Sequence, residues 1–134
     1  MGAGLYLHVP FCRRKCPYCN FYSVPAQPEL LTAYTAAVCR NLRHYGNAAQ
    51  PERVDTVYFG GGTPSLLLPA QIAQILETAA EQFALSADAE ITLEANPATV
   101  TPEQLRELRH AGINRLSLGV QSLSDAQLKR LGRL

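Results

Sequence analysis

Apolar positions along the chain recur with a period of two in some stretches and of three to four in others, which divides it into strands and helices. Residues 5–9, LYLHV, form a short apolar run that reads as a strand leading straight into CRRKC. Residues 28–45 carry Leu31, Tyr34, Val38, Cys39 and Leu42 on one helical stripe, with Gly46 and Asn47 as stop signals. A second strand is predicted over 54–59, and a second helix over 69–83, where Ile72, Ile75, Leu76, Ala79 and Phe83 share a face. Residues 90–95 are the third strand. Thr101, Pro102 and Gln104 then make an N-cap, a first-turn proline and a capping box for a third helix with Leu105 and Leu108, stopped by Gly112. A fourth strand is predicted over 116–120, and Ser124 with Gln127 reads as a capping box for a last helix bearing Leu128 and Leu131.

Strict alternation of strand and helix predicts right-handed βαβ crossovers in one parallel sheet, an α/β fold. Parity within the strands adds a detail. Ile91, Leu93 and Ala95 lie opposite Glu90, Thr92 and Glu94, and Leu116, Leu118 and Val120 lie opposite Ser117, Gly119 and Gln121. A flat sheet covered by helices on both sides would be apolar on both faces, so the polar face predicts a barrel-like sheet whose concave side holds a ligand. Four strands do not close a barrel, so residues 1–134 read as the N-terminal part of a larger domain.

Composition narrows the possibilities. With 47% hydrophobic and 17% charged residues the chain is globular, and a net charge of +1 with scattered basic residues excludes a nucleic-acid footprint. No apolar stretch approaches the roughly 18 residues of a membrane span, and the start MGAGLYLHVPF has no signal-peptide layout, which leaves the cytoplasm as the expected location. Cys12, Cys16 and Cys19 are too closely spaced for a disulfide framework and suit thiolate–metal chemistry in a reducing compartment.

Three thiolates on one loop fill three corners of a cubane iron–sulfur cluster and leave the fourth iron open to a ligand. Two other readings remain at this level. His8 is a fourth ligand for a closed zinc site, although structural zinc ligands usually come as two separated pairs. Cys16-Pro17-Tyr18-Cys19 has the spacing of a redox pair, although such a pair normally opens a helix and leaves Cys12 unexplained. Cys39 lies on an apolar stripe and is expected in the core.

Gly60-Gly61-Gly62-Thr63-Pro64 follows a strand, at the end where parallel sheets bind ligands. It is neither a Walker loop nor a dinucleotide fingerprint, and by itself a tight turn explains it equally well. Glu94 and Gln121, on the polar parity at strand ends, are candidates to hold ribose hydroxyls or an amino group, or else form a polar pair with one another. Tyr6 and His8 share the inward parity. His44 and His110, near helix C-termini, carry no assigned role. The run Arg13, Arg14, Lys15 is either a solvated patch or an electrostatic dock for an acidic partner.

Together the cysteine spacing with Tyr18 before the third cysteine, YFGGGTPS at 58–65, EANP at 94–97 and RLSLGVQS at 115–122 resemble the radical S-adenosylmethionine superfamily. Within it the chain is similar to the oxygen-independent coproporphyrinogen III oxidase group and that group's HemW-type heme chaperone branch. The resemblance implies a partial (β/α) barrel in which Cys12, Cys16 and Cys19 ligate a 4Fe-4S cluster and S-adenosylmethionine chelates the open iron. Tyr6, Tyr18, Gly61 and Glu94 match the family's contacts to that cofactor. Gly62, Thr63, Gln121 and Arg133 match positions lining an adjoining adenosylmethionine site in the oxidase. The implied chemistry is reductive cleavage of the sulfonium, giving methionine and a 5'-deoxyadenosyl radical; no catalytic side chain is assigned. Oxidases of the group carry a further cysteine two residues after the third ligand, where this chain has Phe21. That departure points to the chaperone branch, with heme as a ligand of the full-length protein and a tetrapyrrole as its partner; the resemblance then implies that Arg13, Arg14 and Lys15, if they dock anything, meet an acidic electron donor such as flavodoxin or the propionates of the tetrapyrrole. The oxidase is the alternative, and a non-enzymatic zinc module a distant one.

Overall fold

The computed structural model describes residues 2–48 and 53–133. In chain order the elements are β1 (Ala3–Val9), β2 (Phe11–Cys12), β3 (Val24–Pro25), α1 (Pro28–Ala48), β4 (Arg53–Gly61), α2 (Pro69–Gln82), β5 (Ala84–Ala95), α3 (Pro102–His110), β6 (Arg115–Leu118) and α4 (Asp125–Arg130), with 3-10 turns at Pro64–Leu66 and Pro97–Thr99. One sheet runs β1-β4-β5-β6 with every neighbouring pair parallel, and β2 pairs with β3 in a separate small ribbon. Parallel neighbours need long crossovers, and α1, α2 and α3 supply them in turn.

The core lies between the sheet and these helices. Val9, Val57, Phe59 and Leu93 from the strands meet Ile72, Ile75 and Ala79 of α2 and Cys39 and Leu42 of α1, all buried. Each fully buried Val, Leu, Ile or Phe among them contributes about 2 kcal/mol. The alternate residues Tyr6 and Glu94 emerge on the other face, as the parity predicts, and Tyr58 joins them there. Thr92 shares their face and yet is fully buried: its hydroxyl donates to Glu90 Oε1 (3.1 Å) and accepts from Arg115 Nη1 (3.3 Å).

Several boundaries differ from the sequence expectation, each for a local reason. Helix α1 runs through Gly46 to Ala48 because that glycine is a packing residue: a Cβ there would lie 2.5 Å from Gln82 Cβ. Strand β4 continues through Gly60 and Gly61, which pair with His8 and Val9. Strand β5 begins at Ala84, six residues early, since the register jumps from Leu85 opposite Val54 to Glu90 opposite Thr56, an irregularity that breaks the alternation over 86–89. Strand β6 stops at Leu118, and Leu118 is half exposed at this edge of the sheet. The capping box at Thr101 and Gln104 forms, with bonds of 3.3 and 3.0 Å. The one expected at Ser124 and Gln127 does not: the Ser124 side chain makes no cap bond, and Gln127 Oε1 is engaged by the Ser122 hydroxyl instead. Among the described residues no helix is long and apolar enough to cross a membrane.

Candidate functional site

The site is built where β1, β4, β5 and β6 end. Cys12 closes β2, and the loop that follows is held shut at its base. The β2–β3 pairing does this together with bonds from Val24 N–H to the Pro10 carbonyl (2.8 Å) and from Ala26 N–H to the Cys12 carbonyl (3.0 Å). Within residues 13–23, one backbone bond is found among the described residues, Cys19 N–H to the Cys16 carbonyl at 3.0 Å. Cys16 and Cys19 therefore sit in a turn and do not open a helix, which removes the structural setting of a redox pair.

The glycine run is stitched directly onto this segment. Gly62 N–H donates to the Val9 carbonyl (2.8 Å), Thr63 N–H to the Phe11 carbonyl (2.7 Å), and the Thr63 hydroxyl lies 3.7 Å from Cys12 Sγ. Gly61 has φ +115°, in the region L side chains avoid, and a Cβ there would meet the His8 ring at 2.7 Å. At Gly62 a Cβ would stand 2.6 Å from the Phe11 carbonyl oxygen and 3.1 Å from Cys12 Sγ. Glycine is required at both positions, so the run is more than a tight turn: bare backbone lies against the first cysteine.

Glu94 braces the glycine run from β5. Its Oε1 accepts from Tyr58 Oη (2.8 Å) and its Oε2 from Gly61 N–H (3.1 Å). The hydrogen bond to Glu94, with burial, holds the Tyr58 phenol above its ordinary pKa, so Tyr58 is a donor at neutral pH. A second brace lies deeper: the hydroxyls of Ser65 and Thr99 are 2.6 Å apart and buried, and Thr99 Oγ1 also donates to the Asn96 carbonyl (2.7 Å). The end of β4 is thus tied to the end of β5 by Glu94, and the turns that follow the two strands by the Ser65–Thr99 pair.

The result is an open cavity of about 290 Å³ onto which Cys12, Cys16, Cys19, Tyr18, Gly61, Gly62, Thr63, Glu94, Gln121 and Arg133 all face. Gln121 reaches it otherwise than expected. It lies three residues beyond the end of β6, in the left-handed region at φ +63°, a strained backbone for a residue with a Cβ. Arg133 Nη2 donates to the Gly119 carbonyl. Tyr6 is not on the cavity wall. It is 60% exposed on the adjoining face, stacked on Tyr58 with ring centroids 6.1 Å apart, its hydroxyl 3.1 Å from His8 Nδ1. His8 is likewise off the wall that the three thiols share, so the geometry gives no support to a His8-closed zinc site. Cys39 is buried in the core, as its stripe predicts. Sequence reasoning missed Tyr58, Ser65 and Thr99. Tyr58 had a signal, the inward parity it shares with Tyr6 across the β1–β4 register; the hydroxyl pair had none.

The donor set fits an iron–sulfur cluster. Three free thiols face one cavity, and the fourth cysteine is buried elsewhere. Among the described residues, no three His, Cys, Asp or Glu side chains are gathered tightly enough to cage a single ion; the thiols share a cavity rather than a point.

Known proteins resemble the chain over nearly its whole length. The chain is 44% identical over 132 residues to the heme chaperone HemW of Escherichia coli (strain K12), covering 98% of this chain and 35% of that one. It is 45% identical over 132 residues to the mitochondrial radical S-adenosyl methionine domain-containing protein 1 of Mus musculus, covering 98% of this chain and 30% of that one. The solved structure of coproporphyrinogen III oxidase (HemN) from Escherichia coli, a radical SAM enzyme, superposes with a TM-score of 0.90 at 32% identity, over 98% of this chain and 30% of that one. The chain spans about a third of the length of these relatives. The family description "Radical SAM superfamily" matches residues 6–134, and with the three cysteines and the glycine run on one cavity wall, the chain belongs to the Radical SAM superfamily, whose members bind a 4Fe-4S cluster and S-adenosylmethionine.

Proposed function

We propose that this chain forms the cluster-and-cofactor part of a heme-trafficking protein of the HemW kind. The observation that carries the reading is one wall on which three cysteines, a backbone-only glycine surface and a doubly anchored carboxylate converge. Cys12, Cys16 and Cys19 hold the cluster. Gly61, Gly62 and Thr63 give the cofactor a surface without side-chain bulk, while Glu94, Gln121 and Arg133 offer an acceptor, an amide and a cation to its polar groups. Tyr18 closes the cysteine side, and Tyr6 is the outermost contact, reached through its stack on Tyr58. The cofactor pair, when bound, supplies reductive cleavage of a carbon–sulfur bond; the protein's part is to orient it and keep water out.

Two observations favour a chaperone. Identity to HemW is 44% against 32% to the oxidase, and Phe21 stands where the oxidase group has its further cysteine. Four free cysteines suit a reducing compartment, and we place the protein in the cytoplasm. The oxidase remains the second reading because of the close superposition. The deciding experiment gives the cluster-loaded protein hemin in one arm and coproporphyrinogen III with reductant and S-adenosylmethionine in the other. A chaperone binds hemin and releases no carbon dioxide; sustained decarboxylation would replace the first reading by the second.

A further inference from the structure

The charges on the cavity wall do not balance. Arg13, Arg14, Lys15 and Arg133 face it, and among the described residues Glu94 is the one carboxylate there, with both oxygens already engaged by Tyr58 and Gly61. Arg133 is turned onto the Gly119 carbonyl. Arg13, Arg14 and Lys15 are exposed and form no ion pair among the described residues. The family's cofactors do not absorb this excess. Three thiolates on an oxidised cubane core leave one negative charge, and S-adenosylmethionine, whose amino and carboxylate charges cancel, brings one positive charge. Phe21 shares the cavity wall with these cations and is 64% exposed, and Tyr22, next to it in the chain, is 72% exposed.

We propose that the cysteine loop is a docking rim for the acidic edge of a planar tetrapyrrole, with Arg13, Arg14 and Lys15 pairing to its propionates and Phe21 and Tyr22 packing on its apolar face. The proposal rests on the heme-trafficking reading and names the part of this chain that meets the ligand. An acidic electron donor would use the same cations; the exposed rings beside them are what a flat macrocycle adds.

The test titrates hemin, and separately hemin dimethyl ester in the same detergent buffer, into the cluster-loaded protein, followed by Soret absorption. Wild type is compared with the triple variant Arg13→Glu, Arg14→Glu, Lys15→Glu and with the charge-keeping pair Arg13→Lys, Arg14→Lys. Wild type should prefer hemin to its ester by about tenfold, a preference that shrinks with salt; the triple variant should lose it and the lysine pair keep it. The wild-type ester comparison stands even if the triple variant does not fold. Equal affinity of wild type for hemin and ester would overturn the docking rim while leaving the heme reading intact. No hemin binding at all would overturn both. An unchanged hemin preference in the triple variant, with slower cluster reduction by flavodoxin, would assign the cations to an electron donor instead.

Discussion

The two halves of the site are built differently. The glycine half is fixed by the fold: Gly62 and Thr63 are bonded to the segment that leads to Cys12, Gly61 and Tyr58 to Glu94, and Ser65 to Thr99. The cysteine half is a loop tied at its base, with a single internal backbone bond among the described residues and mostly exposed side chains. On the proposed reading, the surface for the organic cofactor is preformed, while the thiol loop would gain its remaining constraint from the metal, because metal binding is coupled to local order.

The contrast is sharpest in the cysteines. Replacing Cys12, Cys16 or Cys19 by Ala should remove all iron and sulfide on anaerobic reconstitution yet leave the melting temperature of the metal-free protein nearly unchanged. Cys39→Ala should do the reverse, keeping full iron and costing about 1 kcal/mol in a denaturant titration, because its side chain is core. A large stability loss from Cys16→Ala in metal-free protein would show that the loop is preformed after all.

Glycine substitutions probe the other half. Gly61→Val places a branched side chain at φ +115° against His8, and should cost about 2 kcal/mol of stability and about tenfold or more in S-adenosylmethionine affinity by calorimetry under argon. Glu94→Ala strands the Tyr58 hydroxyl and the Gly61 amide and should cost about 1–3 kcal/mol, weakening the cofactor while iron content stays intact. Unaltered affinity in both variants would move the cofactor elsewhere. Tyr58→Phe is the mildest test. It leaves Glu94 with the Gly61 amide alone, for an expected loss of about 1 kcal/mol and a small drop in affinity, and its effect should vanish in a Glu94→Ala background.

How far the sequence reveals this site depends on the range of the interaction involved. Local chemistry is legible: Thr101 and Gln104 cap α3 because the box needs only neighbouring residues, and strand parity places Glu94 on the polar face. The same local rule fails at Ser124, where Ser122 intercepts Gln127. Gly46 reads as a stop but is a contact between α1 and α2, and Gln121 reads as a strand residue but lies in a left-handed turn; both depend on what the fold brings against them. The Tyr58–Glu94 and Ser65–Thr99 pairs join residues 36 and 34 positions apart, so only the register of β4 on β5 and the turns that follow reveal them. Motif order carried the family assignment, but motifs alone do not show that Tyr6 lies one ring away from the cavity wall.

The cysteine and glycine halves line one cavity. The most direct measurement is the electron paramagnetic resonance spectrum of the dithionite-reduced, reconstituted protein with and without S-adenosylmethionine. A cluster whose open iron faces the glycine wall should contain about four iron and four sulfide per chain and give a signal that changes when the cofactor is added, with Gly61→Val blunting the change. Stoichiometric zinc without iron uptake, or a cluster signal indifferent to saturating cofactor, would contradict it.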